Sequence, residues 1–222
     1  MTKKKVCLFV NALAVYRRVI YKMLDEEYDC EWYVEDHEIG VKSFDTSELK
    51  RVHFLPVNQF GSFYFVKGLN SLLKKDFDYY LFLGATRNIS LFVFCLIKRL
   101  FYTNKRIFFW THGYYGKERS LELLLWKRPL FKLADGLFVY GDYSKALMIK
   151  DGFDPNRVFP IHNSLAYDEQ LLLRKAMTPS PVFSDYFGNN NPILIMIGRL
   201  NLRKHLDLLF YAVSELKKRG EF

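Results

Sequence analysis

Short apolar runs rich in β-branched and aromatic residues recur along the chain, separated in several places by stretches with helical spacing. Eight runs predict strands: Lys5–Val10, Cys30–Val34, Val52–Leu55, Tyr79–Leu83, Arg106–Trp110, Gly136–Tyr140, Val158–Ile161 and Ile193–Ile197. Most of these runs are continuously apolar rather than alternating, which is typical of strands covered on both faces.

Apolar residues at helical spacing predict helices between the strands. The spaced sets are Val19, Met23 and Leu24; Phe65, Leu69, Leu72 and Leu73; Tyr143, Ala146 and Leu147; and Leu209, Ala212, Val213 and Leu216. Pro129 either breaks a helix over residues 121–133 or starts a second helix there. The alternation of strand and helix predicts an α/β fold, a Rossmann-like parallel sheet with helices on both faces.

The densest turn chemistry lies at residues 178–192, which contain Thr-Pro-Ser-Pro and Gly-Asn-Asn-Asn-Pro. This segment predicts a linker between a first domain at 1–177 and a second region at 193–222. A single strand and helix cannot bury their own faces. Residues 193–222 therefore either join the preceding sheet or begin a second domain.

The composition is that of a globular protein. Half of the 222 residues are hydrophobic and 18% are aromatic, which excludes a disordered chain. The three cysteines form no CxxC motif, which excludes a zinc ribbon and a disulfide framework and suits a reducing compartment. The longest apolar run, Ile89–Ile97, is shorter than the ~20 residues of a membrane span. We expect a cytoplasmic protein, with a peripheral position on the inner face of the cell membrane as a further expectation.

The net charge of +9 is unevenly distributed along the sequence. Residues 25–48 contain ten acidic residues and one lysine, whereas 98–132 contain nine basic residues, two glutamates and several aromatic residues. The second stretch suits an anionic membrane surface, a nucleic acid or a solvated basic face. No helix-turn-helix or RNA-binding signature is present, so no nucleic acid is expected as a partner.

Ligands of open parallel sheets bind beyond the carboxyl ends of the strands. The candidate residues there are Asn11, Arg17, Thr111, His112, Gly113, Asn163, Gly198, Arg199 and Lys204. They are small, polar or basic, which favours an anion, most plausibly a phosphate. Arg199 and Lys204 in addition meet at a predicted helix N-terminus, whose free N–H groups favour phosphate.

Other motifs carry structural interpretations. Ser144 and Asp142 suit capping of the helix that follows them. Asp76-Phe77-Asp78 precedes its strand, at the wrong end for a metal site, and is interpreted as the loop into Tyr79–Leu83. Glu35 lies in the acidic stretch, away from the anion loops, and is given no role. No GxGxxG, P-loop or GxSxG motif supports a dinucleotide-binding, P-loop or hydrolase function.

Taken together, these segments resemble the retaining, GT-B-fold glycosyltransferases of family four, and most closely the bacterial enzymes of capsular, lipopolysaccharide and exopolysaccharide assembly. The resemblance covers essentially the whole chain. Its specific parts are the segments 158–168 and 193–204, and the supporting parts are 11–18, 110–113 and 134–140.

The resemblance implies an N-terminal domain that takes the acceptor and a C-terminal domain that takes a nucleotide sugar. It implies that Gly198, Arg199 and Lys204 hold the donor diphosphate and that His112 lies at the reacting sugar. Asn11, Arg17, Thr111, Gly113 and Asn163 would line the acceptor side of the cleft. No metal or cofactor is required in the family, and the leaving phosphate is thought to deprotonate the acceptor.

The chain departs from the family at three points. The loop after the first strand lacks glycines, Ala166 stands where the family often has Asp, and no Glu-x7-Glu motif follows Lys204. We therefore expect a complete N-terminal GT-B domain, the first βα unit of a truncated donor domain, and little activity from these residues alone. The alternatives are a non-catalytic nucleotide- or phosphate-binding subunit of a split transferase and, less favoured, a nucleic-acid-binding protein.

Overall fold

The chain consists of two compact units, Met1–Lys175 and Ala176–Phe222. The computed structural model describes residues 2–37, 40–118, 121, 123–162, 166–189, 191, 193–198 and 200–221. The sheet and the larger part of the apolar core belong to the first unit.

The first unit is built on a mostly parallel sheet, whose order is β4-β3-β2-β1-β5-β6-β7-β8 over the described residues. The strands are β1 Lys5–Val10, β2 Asp29–Asp36, β3 Val52–Phe60, β4 Phe63–Val66, β5 Tyr79–Leu83, β6 Arg106–Thr111, β7 Gly136–Val139 and β8 Val158–Pro160. Only the edge strand β4 runs antiparallel to its neighbour. The prediction of an α/β fold with a parallel sheet is confirmed.

Helices connect most of the parallel strands. They are α1 Arg18–Glu27, α2 Ile89–Phe101, α3 Arg128–Leu133, α4 Asp142–Lys150, α5 Tyr167–Ala176, α6 Val182–Phe187 and α7 Leu206–Lys218. Short 3-10 turns lie at Val15–Arg17, Thr46–Glu48, Leu69–Lys74, Pro155–Arg157 and Leu202–Lys204, and a π-helical turn lies at Leu123–Lys127. Pro129 lies at the start of α3, so it begins a second helix rather than breaking a single helix over residues 121–133.

The central strands bury side chains on both faces because successive residues point to opposite sides. On one side Phe82 packs against Phe94 of α2, with ring centroids 5.0 Å apart. On the other side Tyr21 of α1 packs against Trp32, at 4.8 Å. β1 contributes Cys7 and Phe9 to one apolar cluster and Val6, Leu8 and Val10 to the other, which explains why this strand is continuously apolar. β3, which lies between β2 and the edge strand β4, is by contrast largely exposed.

Two sequence predictions are wrong in their secondary structure. The helix predicted from Phe65 to Leu73 is the strand β4 followed by the 3-10 turn Leu69–Lys74. Gly68 separates them with a φ of 85°, a conformation that glycine adopts without steric cost and that ends the strand. The strand predicted at 193–197 is not formed. These five apolar residues are exposed and pair with no other strand in the described part of the chain, and a strand without a partner is not stable.

Candidate functional site

The sheet has a switch point beside β1, its central strand. β2 lies on one side of β1 and β5 on the other, so the connections leaving β1 and β5 diverge at the carboxyl edge. Two cavities open at this edge. The acidic cavity, about 550 Å³, is lined among others by Asn11, Glu35, Asp36, His37, Ser43 and Phe54. The basic cavity, about 370 Å³, is lined among others by Arg87, Thr111, His112, Gly113, Tyr115 and Lys127.

Arg17 is a buried cation near this edge. It lies in the 3-10 turn before α1 and is 9% exposed. Its guanidinium group lies 4.8 Å from the centroid of the Trp110 ring and donates hydrogen bonds to the hydroxyl groups of Tyr21, at 3.4 Å, and Tyr140. The planar, weakly hydrated guanidinium suits such an aromatic enclosure.

The Arg17 guanidinium forms no ion pair with a carboxylate among the described residues, and its Nε atom is buried without a hydrogen-bond partner. Burial lowers the pKa of Arg17, but the contacts with Tyr21 and Tyr140 outweigh this and raise it overall, so the charge is retained. Buried charges in proteins are ordinarily paired. An unpaired buried cation at a ligand-binding edge is therefore suited to an anion.

Tyr140 joins Arg17 to His112. The Tyr140 hydroxyl accepts the Arg17 hydrogen bond, and the His112 ring lies 4.1 Å from the Tyr140 ring, edge to face. Burial lowers the pKa of His112, and the positive charges of Arg17 and Lys127 lower it further. His112 is therefore a neutral imidazole at neutral pH, able to accept one hydrogen bond and donate another.

The turn that carries His112 depends on Gly113. Its φ is 65°, and a Cβ atom there would lie 2.0 Å from the Ser144 hydroxyl oxygen. That hydroxyl accepts a hydrogen bond of 2.9 Å from the Tyr114 backbone N–H. The interpretation of Ser144 and Asp142 as helix caps is wrong, because Gly141 occupies the N-cap position of α4 without a side-chain cap. Ser144 instead fixes the loop after β6.

Glu35 lies at the carboxyl end of β2 with a side chain that is 3% exposed. The Tyr64 hydroxyl donates a hydrogen bond of 3.0 Å to its Oε1 atom. Burial raises the pKa of Glu35 to about 7, and the Tyr64 hydrogen bond offsets only part of this effect. A carboxyl with a pKa near neutrality in a cavity is a candidate functional group. The interpretation of Glu35 as remote from the anion loops is wrong, because the parallel register carries it to the same edge.

The residues predicted for the acceptor side come together in the first unit. Asn11 follows β1, Thr111 ends β6, and both line the cavities at the carboxyl edge. Asn163 lies outside the described residues. No finding tests the roles of these residues, which remain predictions.

The residues predicted for the donor diphosphate belong to the second unit. Lys204 ends the 3-10 turn Leu202–Lys204 and is exposed. Its Cε atom lies 4.0 Å from the position that a Cβ on Gly198 would occupy, so these two residues are neighbours. Arg199 lies outside the described residues. The diphosphate role remains a prediction for all three.

Sequence reasoning missed the enclosure around Arg17. Tyr21 lies on a helix and Tyr140 directly follows β7, so only the folded sheet brings them together. The available signal was the aromatic content of the strand ends, with Trp110 and Tyr140 each at a carboxyl end.

The basic stretch 98–132 is partly neutralised within the first unit. Its basic residues form the ion pairs Lys98–Asp135, Arg106–Asp135, Lys127–Glu118 and Arg128–Asp151. Large apolar side chains of the same stretch are exposed, including Leu100 at 70% and Phe101 at 75%. Among the described residues no helix is long and apolar enough to cross a membrane.

No protein-family model matches the sequence, and none of the curated proteins matches it significantly. Solved structures do match. The UDP-N-acetylglucosamine 2-epimerase of Rickettsia bellii is 13% identical over 85% of this chain and 52% of the enzyme, with a TM-score of 0.52. A lipopolysaccharide outer core galactosyltransferase is 13% identical over 72% of this chain and 46% of its own length, with a TM-score of 0.46. The Neisseria meningitidis UDP-GlcNAc 2-epimerase, bound to UDP-GlcNAc, is 13% identical over 78% and 50%, with a TM-score of 0.48.

The likeness to the Rickettsia bellii enzyme shows the fold, a GT-B-like, Rossmann-like α/β architecture. The chain spans about half the length of the structures that it matches.

Proposed function

We propose that the protein belongs to a glycosyltransferase that transfers a sugar from a nucleotide sugar to a lipid-linked or glycan acceptor with retention of configuration. The observation that carries the proposal is the linked arrangement of Arg17, Tyr140 and His112 at the switch point. It combines an unpaired buried cation with a neutral imidazole, which suits a phosphate next to a sugar hydroxyl.

The chemistry of transfer explains why such groups would be useful. The donor diphosphate gains negative charge as the glycosidic bond breaks, so preorganised cations stabilise the transition state more than the ground state. Gly198, Arg199 and Lys204 would hold that diphosphate. Neutral His112 would orient the reacting sugar, and Arg17 would hold an anionic group on the acceptor side.

The proposal extends to cellular context through the resemblance to bacterial enzymes of surface polysaccharide assembly. A cytoplasmic enzyme with a lipid-linked acceptor would work at the anionic inner face of the membrane. The unpaired basic residues and exposed apolar side chains of 98–132 are suited to that surface. The proposed reaction uses no metal or cofactor.

A second candidate is epimerisation of a nucleotide sugar. It is favoured by Glu35, a buried carboxyl with a pKa of about 7 that could exchange a proton near neutral pH. The Rickettsia bellii structure with the same fold carries the name of such an epimerase.

The test uses the 222-residue chain with a panel of UDP-, GDP- and dTDP-sugars, and measures binding by calorimetry. We expect at least one to bind, and Lys204→Gln to weaken that binding about tenfold because a charge-assisted phosphate contact is lost. Lys217→Gln, an exposed lysine of the same unit, is the matched control and should leave the affinity unchanged.

Product analysis separates the two candidates, with long incubation because little activity is expected from these residues alone. Transfer to an added glycan acceptor with the donor's anomeric configuration supports the transferase, whereas an epimerised nucleotide sugar without acceptor supports the second candidate. Absence of binding by every nucleotide sugar would contradict both.

A further inference from the structure

We propose that the acidic cavity is a subsite for the hydroxyl groups of a neutral sugar, and that Glu35 is the residue that recognises them. The link to catalysis rests on the proposed function, because the sugar would be part of the acceptor. The site itself stands on the geometry around Glu35.

The first observation is the incomplete pairing of the Glu35 carboxyl. Its Oε1 atom accepts the hydrogen bond from Tyr64, whereas Oε2 has no hydrogen bond within the described part of the chain. The nearest cationic candidate is His37, whose Nδ1 atom lies 3.7 Å from Oε2, too far for a hydrogen bond. Oε2 is not among the described side-chain atoms that are fully buried without a partner, so it is open to a donor supplied by a ligand in the cavity.

The second observation is the chemistry of the cavity wall. Asn11 offers amide donors and an acceptor, and Ser43 offers a hydroxyl. Phe54 lines the same cavity with a ring that is 53% exposed. A sugar presents hydroxyl groups at its rim and C–H groups on its faces. Amide and carboxyl groups beside an aromatic surface match that pattern, and a volume of about 550 Å³ falls within the usual range of ligand cavities.

Other ligand classes fit this wall less well. Glu35, Asp36 and His37 are consecutive, and no group of three His, Cys, Asp or Glu side chains in the described ranges is arranged to hold a metal ion. A phosphate would meet the carboxyl groups of Glu35 and Asp36, with no lysine or arginine among the lining residues that the structure describes. The basic cavity, which contains Arg87, His112 and Lys127, is better suited to an anion.

The protonation state of Glu35 should make the binding of charged ligands to this cavity depend on pH. The titratable groups that face its carboxyl are Tyr64 from β4 and, from the residues that follow it in β2 and the next loop, Asp36 and His37. Because burial raises its pKa to about 7, Glu35 is neutral at pH 6 and negatively charged at pH 8. A neutral sugar can bind to either form. An anionic sugar is repelled by the charged form.

The test measures binding by saturation-transfer NMR at pH 6 and pH 8. The probes are methyl glycosides of galactose, mannose, glucose and N-acetylglucosamine, together with glucuronate. We expect at least one neutral glycoside to bind at both pH values, and glucuronate to bind up to about tenfold more weakly at pH 8 than at pH 6. Glu35→Ala should weaken the neutral glycoside about tenfold.

Two variants separate recognition from folding. Glu35→Gln keeps the shape and the acceptor for Tyr64, and should bind the neutral glycoside within about threefold of the original affinity while glucuronate binding loses its pH dependence. Glu31→Gln, on the same strand but paired with Lys75 at 3.0 Å, should change neither property. The proposal is overturned if no neutral glycoside binds, if Glu35→Ala binds it equally well, or if the Glu35→Gln profile for glucuronate keeps its pH dependence.

Nucleotide-sugar binding is measured on the same samples. Glycoside binding that depends on Glu35 without any nucleotide-sugar binding supports the subsite and contradicts the proposed transferase. Nucleotide-sugar binding without any glycoside binding contradicts the subsite alone.

Discussion

Charged side chains at the two edges of the sheet differ in their hydrogen-bond and ion-pair partners. At the amino edge, where the strands begin, acidic and basic side chains are paired: Lys5 with Asp76 at 2.9 Å, and Lys98 with Asp135 at 2.6 Å. At the carboxyl edge the buried charges of Arg17 and Glu35 have tyrosine hydroxyl groups as their hydrogen-bond partners. In the described part of the chain, Arg17 and Glu35 at the carboxyl edge therefore lack the internal ion pairs that the amino edge has, although Lys127 near them is paired with Glu118.

The difference is what the proposed ligand-binding role of the carboxyl edge requires. A buried charge without a counter-charge destabilises the folded state, whereas a hydrogen-bonded pair recovers much of the desolvation cost. Asp135 illustrates the satisfied case, since it also accepts a hydrogen bond of 2.8 Å from the Ile107 backbone N–H. Unsatisfied groups at a ligand-binding edge are expected where binding, rather than stability, is their role.

The largest expected effect on stability comes from removing the ion pair between Lys98 and Asp135 at the amino edge. Asp135→Ala leaves the buried ammonium group of Lys98 without its partner and removes the acceptor of the Ile107 N–H. We expect a loss of about 3–5 kcal/mol in the free energy of unfolding, measured by urea denaturation. The double variant with Lys98→Met should recover part of the loss. A loss below about 1 kcal/mol would contradict the structural role of this pair.

Because Glu35 is buried at the carboxyl edge, we expect the stability of the folded protein to depend on pH. The folded-state pKa of Glu35 is about 7, above the ordinary pKa of 4.5 for a glutamate, so the folded protein holds this proton more strongly than the unfolded chain. The stabilisation is fully present below pH 4.5 and is lost as the pH rises to 7. Its total is about 3 kcal/mol, since one pKa unit corresponds to ~1.4 kcal/mol.

Glu35→Gln removes the titrating group and tests this prediction. Urea denaturation at several pH values between 4.5 and 7.5 should show a smaller decline of stability in the variant than in the original chain. Glu31→Gln is the control, because Lys75 and Tyr33 together lower the pKa of Glu31 despite its partial burial. Parallel curves for the original chain and Glu35→Gln would mean that Glu35 does not hold its proton near neutral pH.

Burial and strand pairing explain which parts of the fold could be predicted from the sequence. Continuously apolar runs such as Tyr79–Leu83 locate central strands, because burial on both faces leaves no position for a polar residue. β4 was missed because its aromatic residues also fit helical spacing with the leucines that follow. The prediction of a strand at Ile193–Ile197 is wrong because a local apolar run does not indicate whether a partner strand exists.

The candidate site was predictable only in part, for a related reason. His112 and Arg17 were found because strand ends are recognisable in sequence. The Tyr140 contact that joins them depends on long-range packing. Glu35 was set aside because its neighbours in sequence are acidic, whereas its position in space is set by the parallel pairing of β2 with β1.

The smallest expected effect concerns Asp76-Phe77-Asp78, whose pattern resembles a metal-binding motif. It lies at the amino edge as predicted, where Asp76 pairs with Lys5 and Asp78 accepts a hydrogen bond of 2.8 Å from the Lys5 backbone N–H. Because Asp76 is fully solvated, Asp76→Asn should cause no measurable change in the free energy of unfolding. Addition of Mn²⁺ should likewise leave the thermal midpoint of the original chain and of the variant equal. If Mn²⁺ raised the thermal midpoint of the original chain and Asp76→Asn abolished this rise, the amino edge would also bind a ligand. The proposed difference between the two edges would then be wrong.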